Sequence, residues 1–158
     1  MRVANLNKND TVNGEGICVS LWVQGCPHHC KGCHNPDQWD FNGGEYVNNW
    51  HLIDKIAEAI TANGIQRNFS ILGGEPLAPQ NINDTYQILW HIKEKFPSIK
   101  TFVWTGYTLK QLQEMYKDTL LENIDVLIDG PFIESQRDIT LKLRGSKNQR
   151  ILYRGVDY

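Results

Sequence analysis

No apolar run in this chain approaches the roughly 20 residues that a membrane-spanning helix needs. The opening stretch MRVANLNKND also lacks the apolar core of an export signal. A cytoplasmic protein, away from membranes, is the expectation. No sign of charge dominates either, with 16 Lys plus Arg against 18 Asp plus Glu and no long run of one kind. That argues against a nucleic-acid binder working through bulk electrostatics. Internal repeats and low-complexity segments are missing, so 158 residues read as one domain, 1–158, with a more basic tail from about 135. Neither a Ser–His–Asp arrangement nor a carboxylate pair placed for acid–base work is evident.

Cysteine is scarce, and its placement is uneven. Of four cysteines, Cys26, Cys30 and Cys33 fall in the loop GCPHHCKGCHN, residues 25–35, spaced C-x3-C-x2-C. An odd trio with a distant Cys18 suits no disulfide scheme. A loop of that pitch can turn three thiolates toward one soft metal centre. Two kinds of centre suit it: an iron–sulfur cluster with one iron left open, or a Cys3His zinc site with His28, His29 or His34 as fourth ligand.

Hydrophobic periodicity supplies the frame. Ile17 to Gln24 alternates, with Ile17, Val19, Leu21 and Val23 on one face and Cys18, Ser20, Trp22 and Gln24 on the other, which is a strand running straight into the cysteine loop. Cys18 reads there as a small packed residue. The sixteen residues before it are polar and turn-rich and are expected to be irregular. Further on, a helix is expected around Ile53 to Ile60 with Asn63-Gly64 as its stop, a strand at 69–72, a helix from about Ile82 to Phe96, and a strand at 101–104. A helix capped by Thr108 and Gln111, a strand at 126–128 and a last strand at 151–153 complete the chain. Such alternation predicts an α/β fold with a mostly parallel sheet, too short to close and therefore an open partial (β/α) barrel.

That topology gathers the cysteine loop, Gly73-Gly74-Glu75, Thr105-Gly106 and Asp129-Gly130 at the strands' C-terminal rim, where α/β folds bind ligands. Gly73 and Gly74 suit a close backbone approach, and Glu75 puts a carboxylate beside backbone carbonyls as a cradle for an ammonium group. Asp129 could accept from ribose hydroxyls, and a turn or helix-capping role is the alternative.

These separated motifs together resemble the radical S-adenosylmethionine (SAM) enzymes and, more narrowly, the anaerobic ribonucleoside-triphosphate reductase activating proteins. The resemblance covers nearly the whole chain: Val12-Asn13-Gly14, the loop 25–35, Gly73-Gly74-Glu75-Pro76, Pro79-Gln80-Asn81, Val103 to Tyr107, Asp129-Gly130 with Phe132, and Arg144-Gly145-Ser146 with Asn148-Gln149. It implies a partial barrel of the radical SAM type and a [4Fe–4S] cluster held by Cys26, Cys30 and Cys33. It implies SAM held by Gly73, Gly74 and Glu75 at its methionyl end and by Gly32, Cys33 and His34 near the adenine, with Thr105 and Asp129 toward the ribose or carboxylate. Gly32 stands where many radical SAM loops carry an aromatic residue, His34 where a tyrosine is expected, and Glu15 where a proline is. The implied reaction is reductive cleavage of SAM to a 5′-deoxyadenosyl radical that takes hydrogen from a glycine of the large reductase; an activase of another glycyl-radical enzyme, or a small-molecule radical SAM enzyme such as a carboxy-deazaguanine synthase, is the alternative. The implied partners are that subunit and a reductant such as flavodoxin. Docking is expected around the rim, with Arg144, Lys147 and Arg150 of the tail as candidates. The cysteine loop and the Gly73-Gly74 turn read as separate elements, so a Gly74 substitution is expected to spare the cluster.

Overall fold

A computed structural model describes residues 1–116 and 118–158. The sheet is open and seven-stranded, with β1 Arg2–Asp10, β2 Cys18–Val23, β3 Glu45–Tyr46, β4 Asn68–Gly73, β5 Thr101–Trp104, β6 Val126–Asp129 and β7 Arg150–Tyr153 in the order β3-β1-β2-β4-β5-β6-β7. The four central strands β2, β4, β5 and β6 are parallel, while β1 and β7 run antiparallel beside them. Helices α1 Asn49–Ile60, α2 Ile82–Lys95 and α3 Leu109–Met115 supply the connections. Consecutive strand–helix–strand units thus set parallel strands side by side, and every central strand ends at the same rim.

Local chemistry accounts for the helix limits. The Asn48 side chain accepts from the backbone N–H of Trp50 and His51 at the start of α1, and Asn63 and Gly64 take positive φ just beyond its end. Thr108 and Gln111 form the expected capping box on α3. The alternation of β2 separates its faces as read: Val19, Leu21 and Val23 join Phe69, Ile71, Val103 and Leu127 in the main core under the helices. The other face holds Phe102, Val126 and Ile128 as a smaller cluster with Trp104, Leu143 and Ile151.

Residues 2–10 correct the sequence reading, because they form an edge strand and not an irregular lead-in. Residues 11–17 then fold across the second face. Ser70 donates to the Asn13 carbonyl (2.6 Å), Asn68 to that of Glu15 (2.8 Å), and a Cβ on Gly14 would lie 2.4 Å from the Cys18 sulfur. Cys18 is fully buried under that segment, at the end of β2 away from the cysteine loop.

At the base of the sheet, opposite the rim, Asp125 joins three elements. It accepts from Lys93 (2.8 Å), from the Thr101 N–H (2.9 Å) and from Arg154 (2.6 Å). Burial alone would raise its carboxyl, but these bonds outweigh burial and hold it below the usual carboxylate range. A depressed folded-state value stabilises above the unfolded pKa of about 3.9 and loses that contribution as pH falls through the folded value. Asp125→Ala should therefore cost about 1–3 kcal/mol at neutral pH. Thermal unfolding of both proteins across pH 2–7 should show the gap narrowing below about pH 4.

Candidate functional site

The loop that carries the cysteines leaves β2 at Gln24 and returns at Trp39. Its base is closed by backbone bonds from Gly25 N–H to Gln38 (2.9 Å) and from Cys26 N–H to Trp39 (3.1 Å). Two buried amides lace it. The Gln24 side chain donates to the carbonyls of Asp37 and Asp40, each at 2.9 Å, and Asn81 donates to those of Gln24 (3.1 Å) and Glu75 (2.9 Å). The Pro79-Gln80-Asn81 motif thus acts through Asn81, which ties the loop to the turn after β4.

Within the loop, Cys26, Cys30 and Cys33 are partly exposed free thiols that line one open pocket. Opposite them the pocket is walled by Gly73, Gly74 and Glu75 after β4, by Trp104, Thr105 and Gly106 after β5, and by Gly130, Phe132 and Gln149 from the chain after β6. Burial, with smaller contributions from Glu75 and the other two thiols, pushes the Cys26 thiol up to about 11. It therefore keeps its proton at neutral pH until a metal displaces it.

That donor set suits a cluster better than a single ion. Three free thiols line this pocket, and thiolates are the ligands that iron–sulfur clusters take from a protein. A cluster spreads its ligands over separate irons. The three histidines that could complete a zinc site are also otherwise placed. His28 bonds to Glu75 (2.8 Å), His29 stacks on Trp39 (4.7 Å between rings), and His34 meets Phe132 edge-on at 6.0 Å.

The glycines after β4 show why no side chain is tolerated there. A Cβ on Gly73 would lie 2.8 Å from the Val23 nitrogen, and one on Gly74 would lie 2.4 Å from the Gly25 carbonyl oxygen. Gly74 therefore abuts the base of the cysteine loop, so the two elements are a single packed unit and not separate as the sequence suggested. Gly32 packs against Glu134, whose carboxylate would lie 2.8 Å from a Cβ there. Residues 32–34 thus face the segment that follows β6.

Glu75, Thr105 and Asp129 are almost fully buried. The Glu75 carboxylate is engaged within the protein, accepting from the N–H groups of Leu77 (2.9 Å) and Gly106 (2.6 Å) and from His28. Thr105 accepts from the Tyr107 N–H through its hydroxyl (3.1 Å). Asp129 is outside the pocket lining: it binds Arg150 through both oxygens and caps the Leu109 N–H (2.8 Å), so the helix-capping alternative describes it. The tail cations are likewise engaged, Arg150 with Asp129, Arg144 with the Gln149 carbonyl (2.7 Å), and Lys147 more loosely with Asp138 (3.8 Å).

Sequence reading considered His28 only as a zinc ligand and Gly130 only as part of the rim, and did not assign Phe132 or Gln149 to the site. The last three lie in motifs that the resemblance included, whereas nothing in the sequence singled out His28 over His34. Gln149 organises the Arg144-Gly145-Ser146 turn, accepting from the Gly145 N–H (2.9 Å) and donating to the Gly130 carbonyl (3.1 Å).

Residues 12–152 match the family of 4Fe-4S single cluster domains. The chain is 40% identical over 143 residues to the anaerobic ribonucleoside-triphosphate reductase-activating protein of Vibrio cholerae, covering 90% of this chain and 91% of that one. To the Escherichia coli K12 protein of the same name it is 37% identical, covering 89% and 90%. To that of phage T4 it is 34% identical, covering 90% and 87%.

Proposed function

The chain belongs to the anaerobic ribonucleoside-triphosphate reductase-activating proteins, and from that membership we propose that it activates such a reductase by radical SAM chemistry. The open sheet with its crowded rim is, in this reading, the partial (β/α) barrel of the radical SAM enzymes. The carrying observation is the convergence of three free thiols with Gly73, Gly74, Gly106 and Gly130 on one open pocket. Cys26, Cys30 and Cys33 would hold a [4Fe–4S] cluster, the only ligands the protein supplies to it. Such a cluster would supply the electron for reductive cleavage of SAM to methionine and a 5′-deoxyadenosyl radical, and that radical would take a hydrogen atom from a glycine Cα of the reductase to leave a glycyl radical there. A reductant such as flavodoxin would furnish that electron.

The protein's own part is binding and exclusion. The backbone at Gly73 and Gly74 offers carbonyls to the SAM ammonium, since the Glu75 carboxylate is already engaged. Gly32, Cys33 and His34, facing Phe132, form the adenine end. Thr105 lies toward the ribose, and Asp129 serves by holding the β6 turn through Arg150 and Leu109. No acid or base is needed, which fits the scarcity of free carboxylates in the pocket. A second groove, lined by Tyr107, Thr108, Gln111 and Pro131, shares His28 and Gly106 with the cysteine pocket, and in this reading it receives the glycine segment of the reductase.

Deuterium transfer tests this. A reductase labelled at glycine Cα, mixed anaerobically with this protein, SAM and a reductant, should pass its label to 5′-deoxyadenosine and develop a glycyl signal by electron paramagnetic resonance. SAM cleavage with neither label transfer nor a glycyl signal would mean that the substrate is something else.

A further inference from the structure

We infer that His28 is a positioning residue, whose hydrogen bond to Glu75 holds the three cysteines in register with the glycine turn that receives SAM. This rests on the SAM reading above. The starting point is the Glu75 carboxylate, 1% exposed, which must be satisfied internally because a buried carboxylate without partners is costly. Its three donors come from three places: Leu77 in its own turn (2.9 Å), Gly106 after β5 (2.6 Å), and His28 midway between Cys26 and Cys30 (2.8 Å). Two are backbone N–H groups in the turns after β4 and β5. His28 alone is a side chain, and it alone belongs to the cysteine loop.

The ring is fitted to that task. It meets Tyr107 edge-on at 4.5 Å, and a Cβ on Gly106 would lie 2.4 Å from it, so Gly106 leaves the space that the imidazole fills. The other ties on the loop lie elsewhere. Gly25, Cys26 and the Asn81 amide act at its base, and Lys31 reaches Glu134 at 3.3 Å in a pair with both side chains largely exposed, which restrains little. On the pocket side, between base and tip, His28 fixes the loop. Its Nε2 is committed to Glu75, which makes it an orienting group and not a fourth ligand.

Two substitutions separate the bond from the bulk. His28→Phe keeps a ring against Tyr107 and Gly106 but has no donor, while His28→Gln places an amide N–H close to where Nε2 lies. Each is reconstituted anaerobically and assayed for iron and sulfide, thermal midpoint, SAM dissociation constant, and the change that SAM causes in the paramagnetic resonance spectrum of the reduced cluster. Both variants should keep the full iron complement. His28→Phe should bind SAM about 10–100-fold more weakly, the order expected when a buried carboxylate loses one of its hydrogen bonds, with a reduced spectral response. His28→Gln should stay close to wild type. Wild-type SAM affinity and spectral response in iron-replete His28→Phe overturn the inference. So does equal loss of iron and thermal midpoint in both variants, which would make His28 a packing residue only. A wild-type cluster that ignores SAM brings down the SAM reading itself, and it shows before any substitution is made.

Discussion

Cys30→Ala is expected to yield a folded protein without an intact cluster and with reductase activation at background, and Cys26→Ala and Cys33→Ala should do the same. The three thiols share one pocket, and no other cysteine lies near them. Cys18 is the natural control. It sits at the far end of β2, fully buried beneath residues 11–17, its thiol raised by that burial and its sulfur 3.6 Å from the Glu15 carbonyl. Cys18→Ala removes a small packed group, costing on the order of 1 kcal/mol, and should keep full iron and sulfide. Iron and sulfide per chain after anaerobic reconstitution decide the matter. An iron-depleted but folded Cys18→Ala protein would sink the three-ligand assignment, as would a loop variant that loads a complete cluster.

Much of the frame was legible because buried parallel strands and amphipathic helices write their period into the chain. β5 appears at its expected residues, and the capping box on α3 is the one that Thr108 and Gln111 spell. β1 was not legible, for two physical reasons. Only Val3 and Asp10 of its nine residues are buried, and register shifts between Val3 and Asn5 and between Asn7 and Asp10 break the two-residue period. β3 is two exposed residues that are a strand only by pairing with β1. At the site, the cysteine spacing and the double glycine were legible as motifs. The bond from His28 to Glu75 was not, since it joins residues 47 apart that meet only once the sheet is assembled. For Asp129 the sequence left two readings open, because an acid at a strand end looks the same whether it faces a ligand or bonds, as it does here, to Arg150 and the start of α3.

Gly74→Ala should damage both halves of the site at once. The added methyl group would lie 2.4 Å from the Gly25 carbonyl oxygen, 2.9 Å from its carbon and 3.0 Å from the Gln38 oxygen. All three are backbone atoms, so no flexible side chain can yield. They are also pinned: Gly74 N–H donates to Val23 (2.9 Å), Glu75 N–H to Gly25 (2.8 Å) and Gly25 N–H to Gln38 (2.9 Å). Relief requires the turn after β4 to part from the base of the cysteine loop. Overpacking of this kind costs about 1–3 kcal/mol, which for a chain of this size lowers the thermal midpoint by several degrees. The displaced loop should load iron poorly, and the iron that does load should sit beside a pocket that binds SAM weakly. Iron content and SAM affinity are therefore expected to fall together in matched anaerobic reconstitutions. Full iron with SAM binding lost would show the loop standing free of the turn. The contact between Gly74 and Gly25 would then be an incidental one, and the pocket alone would carry the requirement for glycine.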